Sequence, residues 1–144
     1  MRINQENLNY GIIGNCKSSA LIKDDSSIDW CCLPQFDSDS IFCKILDKEI
    51  GGNFKIECDD SYIITQKYFK KTCVLQTNFS NGENEFEVID FMPRFKKENG
   101  KYYTPPEIVR ILKLKKGSPI FKVLYDPRLA FASGNTKTYK KENF

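Results

Sequence analysis

The chain has 144 residues, enough for one domain with a substantial apolar core and too few to expect two. It is 40% hydrophobic and 28% charged, the balance of an ordinary globular protein, and no apolar run approaches the length that spans a bilayer, so no membrane partner is expected. It has no histidine, which removes the commonest general base, any Ser–His or Cys–His nucleophile pair and the commonest transition-metal ligand.

Eleven Phe and seven Tyr lean the composition toward β structure. The net charge of +3 is uneven: residues 1–66 sum to −5 and residues 67–144 to +8. The lysines of the second half alternate with apolar residues, as in Ile111-Leu112-Lys113-Leu114-Lys115, which puts them on solvated strand faces where they discourage edge pairing. A nucleic-acid surface is therefore not the expected use of this charge. The six cysteines show no C-x-x-C spacing, and most stand where a small core hydrophobe would fit. Met1-Arg2-Ile3-Asn4-Gln5-Glu6-Asn7 carries no apolar signal core. Together these predict reduced thiols in a cytoplasmic protein, with no metal site and no cofactor.

In chain order, Tyr10–Asn15 and Ser19–Lys23 read as short strands, and Asp24-Asp25-Ser26-Ser27 reads as a tight turn, so residues 18–33 should form a hairpin. After Pro34, Asp37-Ser38-Asp39-Ser40 offers helix-capping side chains, and Ile41, Phe42, Ile45 and Leu46 share one face of a short helix that Gly51-Gly52 would end. From Asn53 the period is two. Strands are predicted over Asn53–Glu57, Tyr62–Phe69, Val74–Phe79 and Phe86–Phe91, with Asn81-Gly82 signalling a type I′ hairpin turn. Residues 96–106 read as a loop, and Ile108–Lys115 and Ile120–Tyr125 as two further strands. This pattern predicts an all-β fold, one antiparallel β-sandwich over residues 1–144 with one short helix, although the polar end of the chain looks like an interruption rather than a finished domain.

The stretch Ser27–Ser38 concentrates the chemistry. It holds the sole tryptophan, Trp30, with Asp29 and Asp37 on either side of a Leu33-Pro34 break. Paired carboxylates are the equipment of glycosidases, but Asp37 and Asp39 have an evident capping role before Ile41, so no catalytic residue is assigned. Asp90, at a strand end, is expected to hydrogen-bond to a loop or to Arg110.

Asn9-Tyr10-Gly11-Ile12-Ile13-Gly14-Asn15, Ala20-Leu21-Ile22, Ser27-Ile28-Asp29-Trp30-Cys31-Cys32-Leu33-Pro34-Gln35-Phe36-Asp37-Ser38 and Ile41-Phe42 resemble the N-terminal domain of bacterial trehalase- and glucoamylase-like enzymes of glycoside hydrolase family 15. Gly51-Gly52, Tyr68, Val74-Leu75-Gln76-Thr77, Asp90-Phe91-Met92-Pro93, Val109-Arg110-Ile111 and Asp126-Pro127-Arg128 extend the resemblance, in order, over residues 9–128. Against the family's pattern, Gln35 stands where an arginine is expected, Ser26 where glycine is common, Cys31 where leucine is usual, and Ala130, just past the matched stretch, where an acid often follows Pro-Arg. The resemblance implies a supersandwich-like domain that packs on a double-α barrel, (α/α)6, which carries both catalytic glutamates and lies outside this chain. It makes Asp29, Trp30, Pro34, Phe36 and Asp37 candidates for the domain interface or the rim of a site for an α-glucoside or a trehalose-like saccharide. The other reading is a free-standing carbohydrate-binding sandwich using Trp30, Tyr62 or Tyr68 as stacking platforms. An uncovered interface would also invite self-association.

Overall fold

The computed structural model describes residues 9–139. Twelve strands run in chain order: β1 (Tyr10–Gly14), β2 (Ser19–Lys23), β3 (Ile28–Cys32), β4 (Ser40–Phe42), β5 (Asn53–Glu57), β6 (Ile63–Tyr68), β7 (Leu75–Ser80), β8 (Glu85–Phe91), β9 (Phe95–Lys96), β10 (Tyr102–Tyr103), β11 (Val109–Lys116) and β12 (Lys122–Asp126). They form an antiparallel sandwich. One sheet has the order β1-β2-β3-β5-β12, with β4 also paired to β3; the other has the order β11-β8-β7-β6, and β9-β10 is a separate ribbon.

Period-two alternation decides which side chains lie between the sheets. In β7, Leu75, Thr77 and Phe79 are buried while Gln76, Asn78 and Ser80 are half-buried. Register places Phe79 opposite Phe86, and their rings stack at 4.6 Å. Two apolar clusters fill the interior. One joins Ile13, Ala20, Ile22, Ile28, Cys31 and Phe42 of the first sheet to Leu75 and Met92, and the other joins Ile56 to Tyr62, Phe79, Phe86 and Val88.

Arg110 ties the layers together. It faces Asp90 across the β11–β8 register and grips both carboxylate oxygens, at 2.7 and 3.1 Å. Its other two bonds cross to the first sheet, to the carbonyl oxygens of Phe54 (2.9 Å) and Ser26 (2.6 Å). The two side chains are 3% and 0% exposed, so the ion pair is compensated by geometry rather than by water.

Three expectations need correction. No helix occurs among the described residues. Ser40–Phe42 instead pairs with β3 as β4, and the next residues make separate turns: Leu46 and Asp47 N–H both reach the Cys43 carbonyl, and Gly51 N–H reaches Asp47. Ile45 and Leu46 are 37% and 68% exposed, so a helix here would have no buried face to sustain it. Asp47 spends its carboxylate on the Glu49 and Ile50 amides, closing a local turn. The glycines serve a different end: a Cβ on Gly52, at φ 64°, would lie 2.2 Å from the Asp126 carbonyl.

The Asn81-Gly82 hairpin exists but is not type I′. Strand pairing stops at Ser80 and Glu85, leaving a four-residue loop in which Gly82 has φ 86° and Asn81 is not left-handed. The Asn81 side chain accepts from the Glu83 and Asn84 amides, so it builds the turn through its carboxamide. Finally, the loop over residues 96–106 contains much of the β9–β10 ribbon, in which Arg94 lies 3.9 Å over the Tyr102 ring and Phe95 meets Tyr103 at 4.9 Å.

Candidate functional site: the Trp30 face

β3 carries the site because of an irregularity in its pairing. Leu21 pairs with Trp30 and Ile22 with Ile28, so one extra residue, Asp29, is accommodated in a bulge. The bulge lets Ile28 and Cys31 both face the core while Asp29 turns into a polar pocket of its own. There the Tyr10 hydroxyl donates to Asp29 at 2.9 Å, the Ser27 hydroxyl donates to its other oxygen, and Asn53 donates to Ser27 at 2.8 Å. Asp29 is 4% exposed, and each of its carboxylate oxygens accepts a bond in this chain.

Trp30, the next residue, stands on the outer face. Register sets Ile12 opposite Leu21 and Leu21 opposite Trp30, so these three side chains form a row across the outer face of the first sheet. Phe131 extends the row, with its ring 6.2 Å from Trp30. Ile12 is 54% and Phe131 49% exposed. Phe131 is held there by an unusual backbone: Ala130, Phe131 and Ala132 all have positive φ (52°, 54° and 64°), and the Phe131 amide bonds to the Ser40 hydroxyl at 3.1 Å. Three consecutive left-handed residues without glycine cost roughly 1–2 kcal/mol each.

The remaining candidates stand on the β3–β4 loop. Pro34, Phe36 and Asp37 are all exposed, and a tight turn, in which Gln35 and Ser38 exchange hydrogen bonds, presents them. The Phe36 amide bonds to the Lys17 carbonyl at 2.9 Å, anchoring the loop to the β1–β2 connection. Thus Asp29 is an internal support of the bulge, Trp30 sits on the outer face, and Pro34, Phe36 and Asp37 project from the loop that follows. Asp29 and Asp37 lie in opposite environments, one sequestered and one in solvent, and are not arranged as an acid–base pair.

The two cysteines that follow Trp30 both hold their protons more tightly than a free thiol. Burial, aided by the neighbouring Cys32, pushes the Cys31 thiol up to about 12 against a bond from Ser18, and burial likewise raises Cys32. Of the platforms suggested by sequence, Tyr62 is 9% exposed and packs edge-on to Phe86. The Tyr68 hydroxyl is occupied by the backbone of Ile12. Phe131 was not indicated by the sequence, because the stretch after Asp126-Pro127-Arg128 reads as small and polar and only the fold returns it to Trp30.

Bulged strand, aromatic row and projecting loop define a β-sandwich domain with an apolar outer face. The pattern of the family described as "Trehalase-like, N-terminal" matches residues 6–143, and the chain belongs to that family. It is 41% identical over 87 residues to a trehalase of Thermoplasma volcanium, a match covering 58% of this chain and 14% of that protein. It is similarly 38% identical over 86 residues to trehalase 2 of Sulfolobus acidocaldarius, covering 60% and 14%, and 31% identical over 71 residues to a trehalase of Mycolicibacterium smegmatis, covering 49% and 10%. The matches therefore span about a seventh of these relatives or less. No solved structure matches the chain.

Proposed function

We propose that this domain is the non-catalytic N-terminal part of a glycoside hydrolase of family 15 type acting on trehalose or a related α-glucoside. In this reading it packs through its Trp30 face on an (α/α)6 catalytic barrel outside the chain, and the loop bearing Pro34, Phe36 and Asp37 helps shape the rim of the barrel's site. Cytoplasmic residence belongs to the same reading, supported by six cysteines of which none is paired.

The observation that carries it is the row Ile12–Leu21–Trp30–Phe131 on the side of the sheet away from the core. A contiguous apolar row with two aromatic rings, in register across three strands, is the signature of a surface built to be covered. The left-handed turn at Ala130–Ala132, which places Phe131 in the row, is backbone strain spent on position rather than on stability.

The test uses the sole tryptophan as a probe. The chain is mixed with the part of the Thermoplasma volcanium trehalase that follows the matched region, and complex formation, Trp30 emission and glucose release from trehalose are followed together. A complex with a blue shift of Trp30, lost in both Trp30→Ser and Phe131→Ser, is expected. Failure to form a complex refutes docking through this face. Without its partner the same face should associate with a second copy at high concentration, which sedimentation reads directly.

A carbohydrate-binding module remains the second reading because Trp30 is half-buried and accessible. It requires saturable quenching of Trp30 by glucose oligosaccharides in the isolated chain.

A further inference from the structure

The sandwich is closed along one side and open along the other. On the closed side, the Tyr68 hydroxyl of β6 bonds both the amide and the carbonyl of Ile12 (2.6 and 2.9 Å), capping the free edge of β1, and Gln66 reaches the Lys23 carbonyl at 3.1 Å. On the opposite side lie the edge strands β11 and β12, each paired along one edge only among the described residues.

Register shows what is left uncovered there. Leu112 and Leu114 pair with Val88 and Phe86, both buried, so they belong to the inner face of their sheet. Val123 and Tyr125 pair with Ile56 and Phe54 and belong to the inner face of the other. Yet Leu112, Leu114, Val123 and Tyr125 are 39, 62, 49 and 51% exposed. Core-facing residues of two edge strands thus look into solvent, and beside β11 lies a groove of about 330 Å³ lined by Phe86, Leu112, Lys113, Leu114, Pro119 and Phe121.

We propose that the free edge of β11 is a strand-addition site for an extended segment, supplied by polypeptide outside these 144 residues, whose alternate residues are apolar and acidic. The apolar side chains would fill the groove over Leu112 and Leu114, while the backbone pairs with β11. The acidic ones would face Lys113 and Lys115, which are 59% and 39% exposed on the other face of the strand, where each shares Glu87 (3.6 and 3.5 Å) and keeps further N–H donors for a second carboxylate. Charge separates this occupant from a second copy: two β11 edges brought together would oppose lysine to lysine. Length supports it as well, since the trehalases matched carry most of their chain outside the matched region.

The test titrates the full chain with a synthetic eight-residue peptide, the length of β11, alternating valine and glutamate. Saturable binding that protects β11 amides from hydrogen exchange is expected. It should weaken by about tenfold or more with Leu114→Ala, with Lys113→Glu, and with lysine replacing glutamate in the peptide. Leu114 is largely exposed, so its truncation leaves the fold intact, which circular dichroism verifies. No binding, or equal binding of the lysine peptide, overturns the proposal. So does a dimer of the chain that Leu114→Glu dissolves, which would assign the edge to a second copy.

Discussion

Replacing Arg110 by methionine tests whether one side chain couples the two sheets. The substitution keeps the aliphatic stem and deletes the guanidinium, so Asp90 loses both of its bonds and the Phe54 and Ser26 carbonyls lose theirs. Removing one partner of a buried ion pair costs about 3–5 kcal/mol, chiefly for the charge left behind. Against a domain stability of about 5–15 kcal/mol this is at least about a fifth of the total. Burial already raises the Asp90 carboxyl above its ordinary value, with Arg110 pulling it back. Without Arg110 only the upward push remains. A folded value above the unfolded one means stability that is greatest at low pH and lost as pH rises, so the variant's deficit should be largest at neutral pH and shrink toward the ordinary 3.8.

Urea unfolding, followed by Trp30 fluorescence and far-ultraviolet circular dichroism at several pH values, gives the midpoint and slope for each variant. Adding Asp90→Asn to Arg110→Met removes the orphaned charge and should recover about 1–3 kcal/mol, a coupling measurable by a double-mutant cycle. Arg110→Lys keeps the charge but not the planar fork and should lie between the two. A loss under about 1 kcal/mol for Arg110→Met, or strictly additive effects, would refute the role assigned to the pair.

Ser26→Gly should stabilise the protein by about 1–2 kcal/mol, since glycine takes φ 66° freely and removes a buried hydroxyl that has no partner, against a smaller entropic loss; an unchanged urea midpoint contradicts this. Burial pushes the Glu87 carboxyl up, but Gln76, Lys115 and Lys113 outweigh it and leave it below the ordinary 4.5. Its contribution is therefore present above that value and lost as pH falls through the lower folded one, so Glu87→Gln should flatten the stability profile only in that acid range. Iodoacetamide at neutral pH, read by mass spectrometry, should label exposed Cys16 and Cys73 first and leave Cys31 unmodified until unfolding; early labelling of Cys31 would contradict its assigned environment.

The fold was legible wherever one face of a strand is buried. β7 and β8 announce themselves by alternation, because a half-buried pleat demands it, and β6, β11 and β12 carry the same period although none of their residues is fully buried. What alternation cannot convey is how far the opposite sheet extends. Leu112 and Leu114 read as core by pattern, are inward by register, and are nevertheless exposed, because no element among the described residues covers them. The short helix failed for the converse reason: the helical spacing of Ile41, Phe42, Ile45 and Leu46 coexists with a β4 pairing that takes Phe42 into the core and leaves Leu46 outside. Trp30 and its neighbours were visible as a composition anomaly. The bulge that lets Asp29 be buried against Tyr10 and Ser27 was not, since a single extra residue in a pairing register has no sequence period.

Ser26 joins these threads. The family resemblance makes glycine the expected residue there, and the sequence offers no reason why glycine should be wanted. The backbone supplies it: Ser26 closes the β2–β3 turn with its amide on the Lys23 carbonyl, then adopts a left-handed conformation that turns its own carbonyl toward Arg110. The strained residue is thus one of the acceptors in the interlayer bond. β11 accordingly carries two opposed tasks along one strand. At Arg110 it is pinned to the facing sheet through Ser26 and Phe54, and four residues on, at Leu114, it stands clear of that sheet. The pin fixes where the two layers part, and so fixes where the open groove begins.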